Sequence, residues 1–211
     1  MEILEQNAAY VVCIKPAGIP SQGEGLDAMP VRLAAEAGGE IYPVHRLDQA
    51  VGGVMVYART KQAAAALSRA IQEGRMEKDY LAVLTKPMAE ASGTLRDLLY
   101  HDRVKNKTYV VKRKRNGVKE AVLDYETLAS GAEGTLVRVH LHTGRTHQIR
   151  VQFASRGCPL AGDGKYGGKG SAPLLWSSRL SFPDPRDGTM RIFERRPEGS
   201  AWDVLFAEQQ Q

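Results

Sequence analysis

The chain has 211 residues, 43% of them hydrophobic, and a formal net charge of +5 at pH 7, so a folded core is expected and a disordered chain is excluded. Its longest unbroken apolar run, Ala8 to Ile14, falls well short of the roughly 20 residues a membrane helix needs. Two cysteines, Cys13 and Cys158, exclude a disulfide framework or a cysteine-built metal knuckle, and the opening Met1-Glu2-Ile3-Leu4-Glu5 lacks the basic-then-apolar order of a secretory leader; a reduced cytoplasmic protein without membrane contact is the expectation.

In chain order, Ala9 to Ile14 reads as a first strand, which Pro16 and Gly18 break before a loop over 20–25. Asp27 is predicted to cap a short helix through Ala37, with Pro30 tolerated in its first turn and Gly38-Gly39 closing it. Next comes Tyr42-Pro43-Val44-His45-Arg46-Leu47-Asp48-Gln49-Ala50-Val51-Gly52-Gly53, then the apolar run Val54 to Ala58. The run predicts a buried strand, so Asp48 is expected on a loop that feeds the core. A carboxylate held there can act as nucleophile or general base; a turn aspartate bonding its own backbone is the other reading. Thr60 is predicted to cap a helix over 61–73, closed by Gly74, with Ala63, Leu67, Ala70 and Ile71 on its buried face.

Glu77 to Leu84 alternates as a strand, with Lys78, Tyr80, Ala82 and Leu84 on one face. Thr94 to Tyr100, Thr108 to Lys112 and Lys119 to Leu128 read as further strands, with Asn116-Gly117 as a hairpin turn. The charge is concentrated here. Arg103 to Lys119 holds eight bases and no acid, while the rest of the chain has 21 bases against 24 acids. A basic arm in hairpin form, including Lys112, Arg113, Lys114 and Arg115 with Tyr109 interleaved, fits a polyanion and points to nucleic acid. Leu136 to His142 alternates cleanly, and Thr143-Gly144 turns the chain into a predicted helix from Thr146 to Arg156, whose amide end would attract an anion. The loop over 162–170 is not a Walker loop, because Lys169 is followed by Gly170. Leu174 to Phe182 and Thr189 to Phe193 predict closing strands, and Trp202 to Ala207 a short helix or strand. No linker rich in Pro, Gly or Ser separates domains, so residues 1–211 are expected to form a single domain. His140, His142 and His147 raise the idea of zinc, but no carboxylate follows at ligand spacing, so neither metal nor cofactor is expected.

The stretch Leu141-His142-Thr143-Gly144-Arg145-Thr146-His147-Gln148-Ile149-Arg150-Val151 closely resembles the arginine-bearing motif of the RluA-type pseudouridine synthases. His45-Arg46-Leu47-Asp48 resembles that family's catalytic motif, and Lys15-Pro16-Ala17-Gly18, Lys78 to Leu84 and Pro159 to Gly167 match further blocks in the expected order. There are departures. Val51-Gly52-Gly53 stands where relatives usually read Thr-Ser-Gly, and Ser21-Gln22 where a histidine is usual.

The resemblance implies an α+β fold: a mixed, largely antiparallel β-sheet with flanking helices and a central catalytic cleft, without the S4 RNA-binding domain that relatives often carry. It implies an RNA pseudouridine synthase acting on uridines in structured ribosomal or transfer RNA, working as a monomer. Asp48 would be the catalytic carboxylate, Tyr80 the ring that stacks on the target base, and Arg150 the partner orienting Asp48. Arg46 would fill the space left by the extruded base, with His45, Arg145 and His147 as further RNA-site residues. A catalytically impaired RNA-binding protein of the same fold is the alternative, with the altered Val51-Gly52 step as its mark.

Overall fold

The computed structural model describes residues 1–208. In chain order its elements are β1 (Glu2–Gln6), β2 (Tyr10–Lys15), α1 (Met29–Ala37), β3 (Tyr42–Pro43), β4 (Gly52–Ala58), α2 (Lys61–Gln72), β5 (Glu77–Leu84) and β6 (Ser92–Asp102). There follow β7 (Lys107–Val111), β8 (Val118–Gly131), β9 (Gly134–Leu141), α3 (Gln148–Ala154), β10 (Leu175–Pro183), β11 (Met190–Glu194) and α4 (Ser200–Glu208). Strand pairing is mixed but mostly antiparallel, as expected of the α+β class. None of the described helices is long and apolar enough to cross a membrane. The described residues fall into two compact units, one of residues 1–78 with 176–196, the other of 79–175 with 197–208.

In the first unit, β2 lies antiparallel between β1 and β4. β10 pairs parallel with β4 through Trp176–Gly52 and Ser177–Gly53. β11 then pairs antiparallel with β10, and β3 caps the far end of β4 through Tyr42–Ala58. β4 is buried along its whole length, which is why it reads as an unbroken apolar run rather than an alternating one. One core gathers Tyr10, Val12, Val54, Val56, Leu180 and Phe182 against Ala63 and Leu67 of α2. α2 begins as its sequence predicts: Thr60 Oγ1 accepts the Ala63 amide at 3.0 Å. The cap predicted for α1 is corrected. Ala28 occupies that position with no side-chain bond, and Asp27 pairs with Arg32 at 2.8 Å instead.

The second unit is an antiparallel series in the order β5-β9-β8-β6-β7. α3 packs on it, with Phe153 edge-on to Tyr125 at 5.6 Å between ring centroids, and Val151 joins Leu99 and Ala121 in a small core. α4 rests on β8 and β9. Two expectations are corrected here. Asn116-Gly117 is a turn, but it does not join a hairpin, because β6 lies between β7 and β8. The hairpin is β6–β7, closed by a four-residue turn over 103–106; Asp102 Oδ1 shapes it by accepting the Val104 and Lys105 amides at 3.0 Å each. The run Lys112 to Arg115 sits instead in the loop that carries the chain from β7 back to β8. The predicted helix from Thr146 to Arg156 shrinks to Gln148–Ala154, because His147 takes a left-handed φ of 55° that a helix interior does not admit.

Candidate active site

Asp48 is half-buried on the loop between β3 and β4. The loop is held by its backbone. Val51 N donates to Asp48 O at 2.9 Å, and Gln49 is stitched to the turn after β2: Gly18 N donates to Gln49 O at 2.8 Å, and Gln49 Nε2 donates to Gly18 O at 2.9 Å. Ser21, buried, donates its hydroxyl to Leu47 O at 2.9 Å. Ser21 therefore fastens the residue before Asp48.

Under this loop lies Lys15, fully buried. Its Nζ donates to Pro16 O at 2.8 Å, Ile19 O at 2.7 Å and Gln49 O at 3.0 Å. Three carbonyls saturate the three donors of an ammonium. Burial pushes the lysine down to about 8, against the pull of the Asp48 charge, which favours the protonated form. Lys15 thus brings a positive charge and a backbone clamp to the Asp48 loop; it was visible in the Lys-Pro-Ala-Gly block but had no role read from sequence.

The two glycines after Val51 have separate reasons. Gly53 has φ 124°, and a Cβ on it would lie 2.3 Å from Ser177 O, so the parallel pairing with β10 requires glycine. A Cβ on Gly52 would lie 2.6 Å from the Trp176 ring. The space where relatives usually place serine is filled here by an indole, anchored by Nε1 donating to Arg195 O at 2.8 Å. His45 turns its ring under β4, where Nε2 accepts the Val56 amide at 3.2 Å and Nδ1 is enclosed. Burial, with the Lys78 charge added, pushes the imidazole down to about 3, so it stays neutral. Arg46, between His45 and Asp48, is exposed.

In the second unit Tyr80 is almost fully buried on β5, opposite Val139 of β9. Arg150 on α3 is 6% exposed. It makes a bidentate ion pair with Asp163: Nε to Oδ2 at 2.7 Å and Nη2 to Oδ1 at 2.8 Å. Asp163 is 1% exposed, and removing one member of such a pair costs about 3–5 kcal/mol. The Tyr166 ring lies against the guanidinium, 5.1 Å from its carbon. Asp163 and Tyr166 lie in the Pro159 to Gly167 block, whose resemblance gives neither residue a role.

His147 is buried and bonded through Nδ1 to the Tyr166 hydroxyl at 2.8 Å. Arg145 is half-buried and donates Nε to Glu120 O at 2.9 Å. Gln148 Oε1 accepts the Thr143 hydroxyl at 2.9 Å and the Arg145 amide at 3.0 Å, which folds the motif into a closed loop. Lys112, Arg113, Lys114 and Arg115 are all exposed, and Arg115 stands 5.0 Å over the Tyr100 ring. His140 and His142 each face a carboxylate at 2.6 Å, Asp79 and Asp124. Among the described residues no three His, Cys, Asp or Glu side chains form a group that could hold a metal ion.

The sequence profile of the family described as RNA pseudouridylate synthase matches residues 9–155. An uncharacterized RNA pseudouridine synthase of Aquifex aeolicus (strain VF5) is 32% identical over 219 residues, covering 92% of this chain and 68% of that protein. The ribosomal large subunit pseudouridine synthase D of Xylella fastidiosa is 33% identical over 184 residues, covering 82% of this chain and 54% of that one. The chain spans about half to two thirds of the length of such curated relatives. Its fold matches that of human RNA pseudouridylate synthase domain containing 4 with a TM-score of 0.79 at 23% identity, covering 99% of this chain and 93% of that one. An aspartate loop clamped to backbone, a buried arginine motif and these likenesses in sequence and fold lead to one conclusion: this chain belongs to the RNA pseudouridylate synthase family, a family of isomerases.

Proposed function

We propose that the protein converts specific uridines of structured RNA to pseudouridine, with Asp48 as the catalytic carboxylate. The observation that supports this most is the family match over residues 9–155, a span that contains Asp48, Tyr80 and Arg150. The reaction breaks the bond between ribose carbon 1 and uracil nitrogen 1, forms one from the same carbon to uracil carbon 5, and moves the carbon 5 proton to solvent and one from solvent to nitrogen 1. It is redox-neutral. Asp48 is the group that attacks or deprotonates, Tyr80 stacks on the uracil, and Arg150, itself held by Asp163, is the arginine the motif assigns to orienting the catalytic carboxylate. The uridine leaves its stack at a cost of a few kcal/mol, and Arg46 takes the vacated space. Arg145, His147, the four bases Lys112 to Arg115 and the loop held by His45 complete the RNA site. Ribosomal RNA is the first substrate class to test, after the name of the Xylella relative, and transfer RNA the second. The protein acts in the cytoplasm as a monomer.

The test is transcriptome-wide pseudouridine mapping with and without the protein. Asp48→Ala is expected to abolish product while RNA affinity changes by no more than a few fold. A fully active Asp48→Ala removes Asp48 from the mechanism. Binding by the wild type with no new pseudouridine favours an RNA-binding protein that has lost catalysis.

A further inference from the structure

Tyr166 touches two elements at once, β7 and α3. Its ring lies 5.1 Å from the Arg150 guanidinium carbon and 5.4 Å from Lys107 Nζ. Its hydroxyl oxygen is 2.7 Å from the Thr108 amide and 2.8 Å from His147 Nδ1. Lys107 and Thr108 open β7 at the mouth of the basic turn, His147 is the left-handed residue that starts α3, and Arg150 lies on α3. The Thr108 amide can only donate. The arrangement that satisfies every group has the phenol oxygen accept from that amide and give its own proton to His147 Nδ1. The Thr108 hydroxyl is engaged with Thr146 O at 2.8 Å and His101 Nδ1 at 3.0 Å, so the start of β7 and the entry to α3 are joined twice, once through the phenol and once directly.

We infer that Tyr166 is a positioning residue that links RNA seated on the basic β6–β7 hairpin to the orientation of Arg150. This rests on the proposed function above. In the free protein Lys107 and Arg150 share one aromatic ring, and each cation weakens the other's hold on it. A phosphate that binds Lys107 neutralises one of the two, and the ring then serves Arg150 alone. The hydroxyl carries the same coupling mechanically: RNA that fixes Lys107 and Thr108 fixes His147, and with it the first turn of α3. Tyr166 does not touch the base; it sets the arginine that serves Asp48.

The experiment uses the full chain in excess over RNA labelled with tritium at uridine carbon 5, taken from cells that lack the protein. Pseudouridine formation releases that tritium to water, so a single-turnover time course gives a rate at saturation and a half-saturating concentration. Tyr166→Phe keeps the ring and loses the hydroxyl. It is expected to lower the saturating rate about tenfold, with the half-saturating concentration within twofold. Lys107→Gln is expected to lower both rate and affinity in the wild type, and affinity alone in Tyr166→Phe. Thermal melting accompanies each variant. Tyr166→Phe with a saturating rate within twofold of wild type overturns the inference. So do a Lys107→Gln rate effect that is unchanged in the Tyr166→Phe background, and a rate loss accounted for by loss of folded protein. Any of these with an active wild type leaves the proposed function standing; a wild type that releases no tritium overturns both.

Discussion

Single residues in the Asp48 loop are over-determined. Lys15 ties Gln49 O of the loop to Pro16 O and Ile19 O of the turn after β2, and Ser21 ties Leu47 O, so the loop does not depend on its own turn propensity. His45 gives this a pH signature. The unfolded chain takes up a proton on this ring near 6.5, whereas the folded ring stays neutral down to about 3. Unfolding therefore binds a proton between those values, and the stability present above 6.5 is lost as pH falls toward 3. The melting temperature of the wild type is expected to fall across that window more steeply than that of His45→Gln; parallel slopes would show that the ring is not held neutral. Gly52 offers a second test. Gly52→Ser restores the residue usual in relatives but drives a Cβ into the Trp176 ring, for an expected loss of about 1–3 kcal/mol. Combined with Trp176→Leu, it should cost less than the sum of the two single changes in urea unfolding; additive losses would mean that the indole is not what excludes the serine. None of this compensation was legible in sequence, because Gly52 and Trp176 lie far apart in the chain and meet only through the parallel pairing.

At the scale of elements, the apolar pattern was enough to place β5 at its observed bounds and β9 nearly so, although β5 is buried on both faces from Tyr80 to Leu84. β1 was missed: Glu2–Gln6 is a polar edge strand with little to bury. The basic arm was read as one hairpin and is two projections, the β6–β7 turn and the loop from β7 to β8. Local turn chemistry at Asn116-Gly117 does not reveal that β6 has already taken the place beside β7. The loop can be tested by itself. Neutralising Lys112, Arg113, Lys114 and Arg115 together is expected to flatten the slope of log affinity against log salt by about 3, at roughly 0.7–0.9 per phosphate contact. An unchanged slope takes these four side chains out of the RNA interface.

For the molecule as a whole, the order of motifs made the family legible from sequence, and the fold class came with it. What the motifs left out was the support beneath them. Asp163 and Tyr166 hold Arg150 from a loop rich in glycine, where no periodicity marks a contact. Lys15 belongs to a matched sequence block that carries no hint of its burial, which follows from three carbonyls that only the folded turn brings together. The charge pattern was informative for a different reason: a cluster of like charges persists on a surface whatever the topology beneath it.

The first unit is discontinuous, with 176–196 completing a body begun by residues 1–78. During translation, the segment bearing Asp48 emerges from the ribosome about 130 residues before the strand that seats Gly52 and Gly53. Until Trp176 and Ser177 have been synthesised, the Gly52-Gly53 end of β4 lacks its parallel partner, and the nascent chain carries its aspartate on an unfinished support.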